Sequence, residues 1–119
     1  PTLRKWYSQC IAVCIPLSGD AEDTCGYTNL LEGMAMAKPV LMTKSGCLHL
    51  NPEERGLGTL IGPKDSEAWA VAMNSLLGNT QKAEALGKTG RLIAEEEFSI
   101  ERFERKTISF LQQIVDSPN

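Results

Sequence analysis

The run from Gly26 to Thr43 constrains the fold more than any other stretch, because backbone rules bracket it at both ends. Gly26 opens it, and glycine accepts the turn geometries from which a helix can start. Leu30, Leu31 and Met34 then recur at helical spacing, with Ala35 small enough to pack closely on a sheet. Pro39 has no N–H and biases Lys38 away from helical geometry, so a helix over about 27–37 must stop there. Val40, Leu41 and Met42 follow as a buried strand. Residues 11–17 are apolar at successive positions, which predicts an earlier strand buried on both faces and ended by Pro16. Strand, helix and strand at this spacing form the βαβ unit of a parallel sheet.

The flanks fit that frame. Residues 2–9 read as the end of a helix with Leu3, Trp6 and Tyr7 on one face. Residues 18–25 are polar and acidic, as expected of a loop at a strand's carboxyl end. Gly46, Asn51-Pro52, Gly56 and Gly58 make the middle irregular, with a short edge strand at 59–61. Asp65 or Ser66 caps the next helix, whose inward positions are Trp69, Ala72, Met73, Leu76 and Leu77. Thr80 caps a second helix with Ala83, Leu86, Gly90 and Ile93 on one face. Ser99 caps the last, flanked by Phe98 and Phe103 as a hydrophobic staple. The stripe Thr107, Phe110, Leu111 and Ile114 on that helix must pack on something, in this domain or in another. The expected class is α/β: a Rossmann-like parallel sheet over 1–62, then a helical tail over 63–119.

A chain of 119 residues is one domain or part of one, and its start at Pro1 rather than Met reads as either a piece of a longer protein or a processed product. The net charge of −3 comes with no block of Lys and Arg, which removes nucleic acid as a partner. Cys10, Cys14, Cys25 and Cys47 lack the spacing of a structural zinc site, and scattered thiols fit a reducing, cytoplasmic compartment. No apolar run is long enough to span a membrane, and no metal ligand set stands out.

What chemistry the chain carries centres on the same run. Amides at a helix start are unpaired and favour negative charge, so Gly26, Tyr27 and Thr28 offer a place for a diphosphate. The plain alternative is that Gly26 merely starts the helix. Glu32 sits among the apolar positions Leu30, Leu31 and Met34, where a carboxylate needs a partner. Vicinal ribose hydroxyls would serve, and a solvent-facing Glu is the bland alternative. Glu22 or Asp23 in the preceding loop would meet a sugar, or the acidic trio with Asp20 is simply solvated. Lys38 and Lys44 bracket the strand and would offset phosphate charge or serve solubility. Residues 43–46 follow a strand, where doubly wound sheets bind ligands. His49 is the sole histidine, and no nucleophile set surrounds it, so no residue is assigned a catalytic role.

The segment Leu31-Glu32-Gly33-Met34-Ala35-Met36-Ala37-Lys38-Pro39-Val40 resembles the nucleotide-sugar segment of GT-B fold glycosyltransferases, particularly retaining family 4. Residues 7–17, the Gly62-Pro63-Lys64-Asp65 turn, Trp69, Gly87, Gly90 and Phe98-Ser99 extend the likeness over nearly the whole chain. The resemblance implies the latter half of a GT-B carboxyl-terminal domain, a donor-binding piece without transferase activity of its own. It implies that Glu32 holds the nucleotide ribose, that amides at Gly26, Tyr27 and Thr28 face the diphosphate, and that no divalent metal or other cofactor is needed. The donor is then a nucleotide-diphosphate sugar, transferred with retention, and the partner is an amino-terminal acceptor-binding domain. That family places another glutamate eight positions before the ribose-binding one; here Thr24 stands there, with Glu22 and Asp23 as neighbours. Ala37 stands where glycine is frequent. Rival readings are a non-catalytic nucleotide or phospho-ligand domain, and a flavodoxin-like interaction domain docking through its last helix. Unpaired strands would also favour self-association of the piece.

Overall fold

The strand–helix–strand unit is present, and its strands run parallel. The computed structural model describes residues 2–18, 25–46 and 48–117. In chain order the elements are α1 (Leu3–Gln9), β1 (Val13–Ile15), α2 (Tyr27–Ala35), β2 (Val40–Thr43) and β3 (Gly58–Ile61), then α3 (Ser66–Leu77), α4 (Thr80–Glu97) and α5 (Ile100–Asp116). The three strands form one sheet in the order β1-β2-β3. Val13 pairs with Val40 and Val40 with Gly58, both ladders parallel. The architecture is α/β and Rossmann-like. No helix among the described residues is long and apolar enough to cross a membrane.

Period-two alternation on the central strand divides the core between the two faces of the sheet. Val40 and Met42 join Val13, Ile15, Leu30, Met34, Leu57 and Ile93 on one face. Leu41 joins Ile61, Leu76 and Ala83 on the other. Every residue of β2 is buried. The first strand is shorter than residues 11–17 and is not buried on both faces: Val13 and Ile15 are covered, but Cys14 between them is exposed. The reason is coverage. The main contacts of α3 with the sheet are to β2 and β3, so Cys14 of β1 borders an open groove shared with Met73, Leu76 and Leu77.

Helix ends follow local chemistry. The helix that Pro39 was expected to terminate closes with Ala37 N–H on Met34 O at 3.0 Å and Lys38 N–H on Gly33 O at 2.9 Å. These are the two bonds of a Schellman motif, and they force Ala37 to φ 53. The left-handed region disfavours any residue with a Cβ by about 1–2 kcal/mol, so an alanine there is strained. Arg91 donates to Ala35 O, placing a cation at the carboxyl end of α2. Close packing of α4 on α2 depends on Gly87, where a Cβ would strike the Ala37 carbonyl.

Asp65 caps α3 by accepting from Ala68 N–H at 2.9 Å. The cap of α4 is Asn79 rather than Thr80; its Oδ1 accepts from Lys82 N–H at 3.0 Å, and Thr80 is the first helical residue. On α4 the buried positions are Ala83, Gly87, Gly90 and Ile93, with Leu86 half-buried. Fewer apolar residues turn inward than the pattern suggested: Leu3, Trp6, Met73 and Leu77 are exposed. Conversely Leu50, Pro52 and Leu57, within the irregular middle, are buried, held by an Asn51 side chain that accepts from Glu53 and Glu54 N–H. An exposed Arg55–Glu97 pair at 2.5 Å ties this segment to the end of α4, and the guanidinium holds the Glu97 carboxyl below its usual range. Ser99 caps α5 as expected, but Phe98 and Phe103 stay exposed, and no residue of α5 is buried.

Candidate functional site

The start of α2 is seated on the carboxyl ends of two strands. Gly26 adopts φ 81, and a Cβ there would stand 2.6 Å from the Ile15 methyl and 3.2 Å from Met42. Both the backbone angle and the close approach require glycine. The N-cap is Gly26, which has no side chain to give a cap bond, and the first amides of a helix have no partner in its own ladder. Tyr27 is half-buried against the core, whereas Thr28 in the first turn is exposed. Glu22 and Asp23, expected to meet a sugar, lie outside the described residues.

One turn beyond Thr28 comes Glu32, half-buried. The two side chains line one groove of about 460 Å³ between α2 and α4, shared with Arg91, Phe98 and Ser99. That volume is within the range of small-molecule sites. The partner that a carboxylate among apolar neighbours requires is Tyr7, whose hydroxyl donates to Glu32 Oε2 at 2.7 Å. Tyr7 is buried at 9% exposure, and burial first, then its bond to Glu32, pushes the phenol above its ordinary value. It therefore stays protonated, a donor, through neutral pH. Arg91 does not reach the acid; it is held by Ala35 O and by Glu95 at 2.6 Å.

The remaining candidates disperse. Lys38 sits at the amino end of β2 and donates to Ser8 O at 3.2 Å, on the side of the sheet opposite to the start of α2. Lys44 is exposed at the carboxyl end. Thr43 is buried at 2% exposure and accepts from Leu17 N–H at 3.0 Å, which ties the ends of β1 and β2 together. His49 is exposed. A larger groove of about 540 Å³ runs along β3 and α3, lined by Asp65, Glu67, Ser75 and Lys82 among others, away from Glu32. Among the described residues no three His, Cys, Asp or Glu side chains gather as a metal site.

Tyr7 is the residue that sequence reasoning missed as a partner of the acid. The spacing placed Tyr7 on an inward face as an apolar body, and nothing local connects it to a residue 25 positions on. The one available signal was the carboxylate's own need for a donor.

Two comparisons with known proteins bear on this site. The family model for glycosyl transferases group 1 matches residues 1–79, from α1 through the end of α3. No curated protein matches the chain.

Proposed function

The chain belongs to the group 1 glycosyl transferases, and on that footing we propose that it forms part of the donor-binding domain of a retaining, family 4-like enzyme using nucleotide-diphosphate sugars. In this reading amides at Gly26, Tyr27 and Thr28 meet the diphosphate, Glu32 accepts from the ribose hydroxyls, and Glu22 or Asp23 meets the sugar. Glycosyl transfer puts negative charge on the departing diphosphate, and oriented donors at that point lower the barrier. A helix start whose N-cap is a glycine supplies such donors without protons to move.

The observation that carries the reading is the acid beside the helix start. Glu32 is half-buried with one oxygen engaged by Tyr7, one turn from Thr28 on the same groove. A surface glutamate of no function has no need of a buried phenol. Residues 1–62 hold the donor site in this assignment, and residues 63–119 brace it. The acceptor and its catalytic groups come from an amino-terminal partner domain, no resident cofactor or metal takes part, and the chain by itself is inactive. Its uncovered strand edges and α5 also make it self-associate at high concentration.

Calorimetric titration of nucleoside diphosphates and of UDP-, GDP- and ADP-sugars tests the reading. Glu32→Ala removes hydrogen bonds to a charged acceptor, so affinity falls by about 10- to 100-fold. Equal binding by wild type and variant removes Glu32 from the site.

A further inference from the structure

We infer that Tyr7 is a positioning residue that holds the Glu32 carboxylate ready for a ribose diol, and so sets the preference for ribonucleotides over deoxyribonucleotides. The inference rests on the donor reading of Glu32 above and adds a residue from a different helix to it. Tyr7 lies on α1, before the first strand, and Glu32 on α2, after it. The 2.7 Å bond between them therefore joins two elements that no sequence neighbourhood links.

The chemistry of the pair is directional. A phenol has one proton to give, and here it goes to Oε2. Among the described residues nothing donates to Oε1, whose lone pairs can accept from hydroxyl groups, as can those Oε2 has left. Asn29, one turn before Glu32, lies beside the same phenol oxygen, so the hydroxyl is flanked from α2 at two points. The ring itself is almost wholly enclosed, in the cluster with Val13, Ile15, Leu30 and Met34. A free glutamate loses rotamer freedom when it clamps a ligand; one already pinned by a buried phenol has less to lose. An apolar Phe would fill the same space, so packing alone does not call for the hydroxyl. The hydroxyl's role is toward the acid.

The test uses UDP, GDP and ADP against their 2′-deoxy and 2′,3′-dideoxy counterparts, titrated into wild type, Tyr7→Phe, Glu32→Ala and the double variant. Wild type prefers the ribonucleotide. Tyr7→Phe lowers ribonucleotide affinity by about 3- to 10-fold, the worth of one hydrogen bond, and leaves dideoxy affinity unchanged. The double variant loses no more than Glu32→Ala, since the two residues act through one contact. A purely structural Tyr7 would weaken all nucleotides alike, dideoxy forms included; that outcome overturns the inference. If Tyr7→Phe keeps the full ribose preference while Glu32→Ala loses it, Tyr7 has no positioning role and the donor reading of Glu32 survives. If Glu32→Ala also keeps it, or wild type shows no preference, the donor reading falls and this inference with it.

Discussion

Helices α2 and α5 are both amphipathic, yet they end in opposite environments. In α2 Leu30 and Met34 are wholly buried, Gly33 is buried, and the helix is closed at its carboxyl end by the Schellman bonds and Arg91. In α5 the pattern is sharper, since Ile100, Phe103, Phe110, Leu111 and Ile114 share one broad face, and none is buried. The contrast separates two things that a hydrophobic stripe is often taken to say together. It says that a helix gains by being covered. It does not say what covers it. For α2 the covering element is fixed by the chain itself, because strands on either side leave the helix one face of the sheet to lie on. For α5 no such tether exists.

The largest effect that would break this contrast is on stability. Leu30→Ala removes a side chain with no exposure, and the cavity and transfer terms together cost about 2–5 kcal/mol. Phe110→Ala, at 61% exposure, changes stability by less than about 0.5 kcal/mol, despite deleting more apolar surface. Urea midpoints at fixed protein concentration measure both. Size-exclusion at several concentrations adds the second half: Phe110→Ala moves elution toward the monomer where wild type elutes early. Equal costs for the two substitutions, or an elution unmoved by Phe110→Ala, would mean that α5 is packed in solution or takes no part in self-association.

A smaller effect sharpens the comparison at the end of α2. Ala37 sits at φ 53, in a region that glycine occupies without a steric penalty. Ala37→Gly therefore stabilises by about 1 kcal/mol, part of the relief being returned as unfolded-chain entropy. Thermal or urea denaturation reads it, and a loss of stability would show that the strain is compensated by packing of the Ala37 methyl.

Where the sequence spoke, it spoke through rules local to a few residues. α2 stopped short of Pro39, Asp65 and Ser99 capped their helices, and the apolar run 40–42 became the central strand, all from neighbours within a turn or two. Departures came where burial depends on distant elements. Cys14 is exposed because α3 packs chiefly on β2 and β3, and Leu57 is buried because an irregular segment folds under α4. Thr80 lost its cap to Asn79 by one position, a choice that hinges on one hydrogen bond to Lys82. The candidate site divides the same way. Gly26, Tyr27, Thr28 and Glu32 were visible because they follow one another along a helix. Tyr7, which completes the acid, was not, since its partner lies across a strand.

The smallest effect concerns that partner, and it is a matter of protons. Burial and the Glu32 carboxylate raise the Tyr7 phenol above the value of 10.0 that an unfolded chain would show. The unfolded chain then gives up this proton first as pH climbs. The stability linked to this proton is fully present below about pH 10, and it is lost progressively as pH rises from there through the raised native value. Tyr7→Phe has no such proton, so its urea midpoint should decline less between pH 9 and about 11 than that of wild type. Nothing on α5 is tied to this proton, so Phe110→Ala should keep the wild-type slope. Parallel declines for wild type and Tyr7→Phe would mean that in solution the phenol is neither buried nor held by Glu32. The pinned carboxylate, and with it the difference between a covered helix that presents a held acid and an uncovered one, would then need another origin.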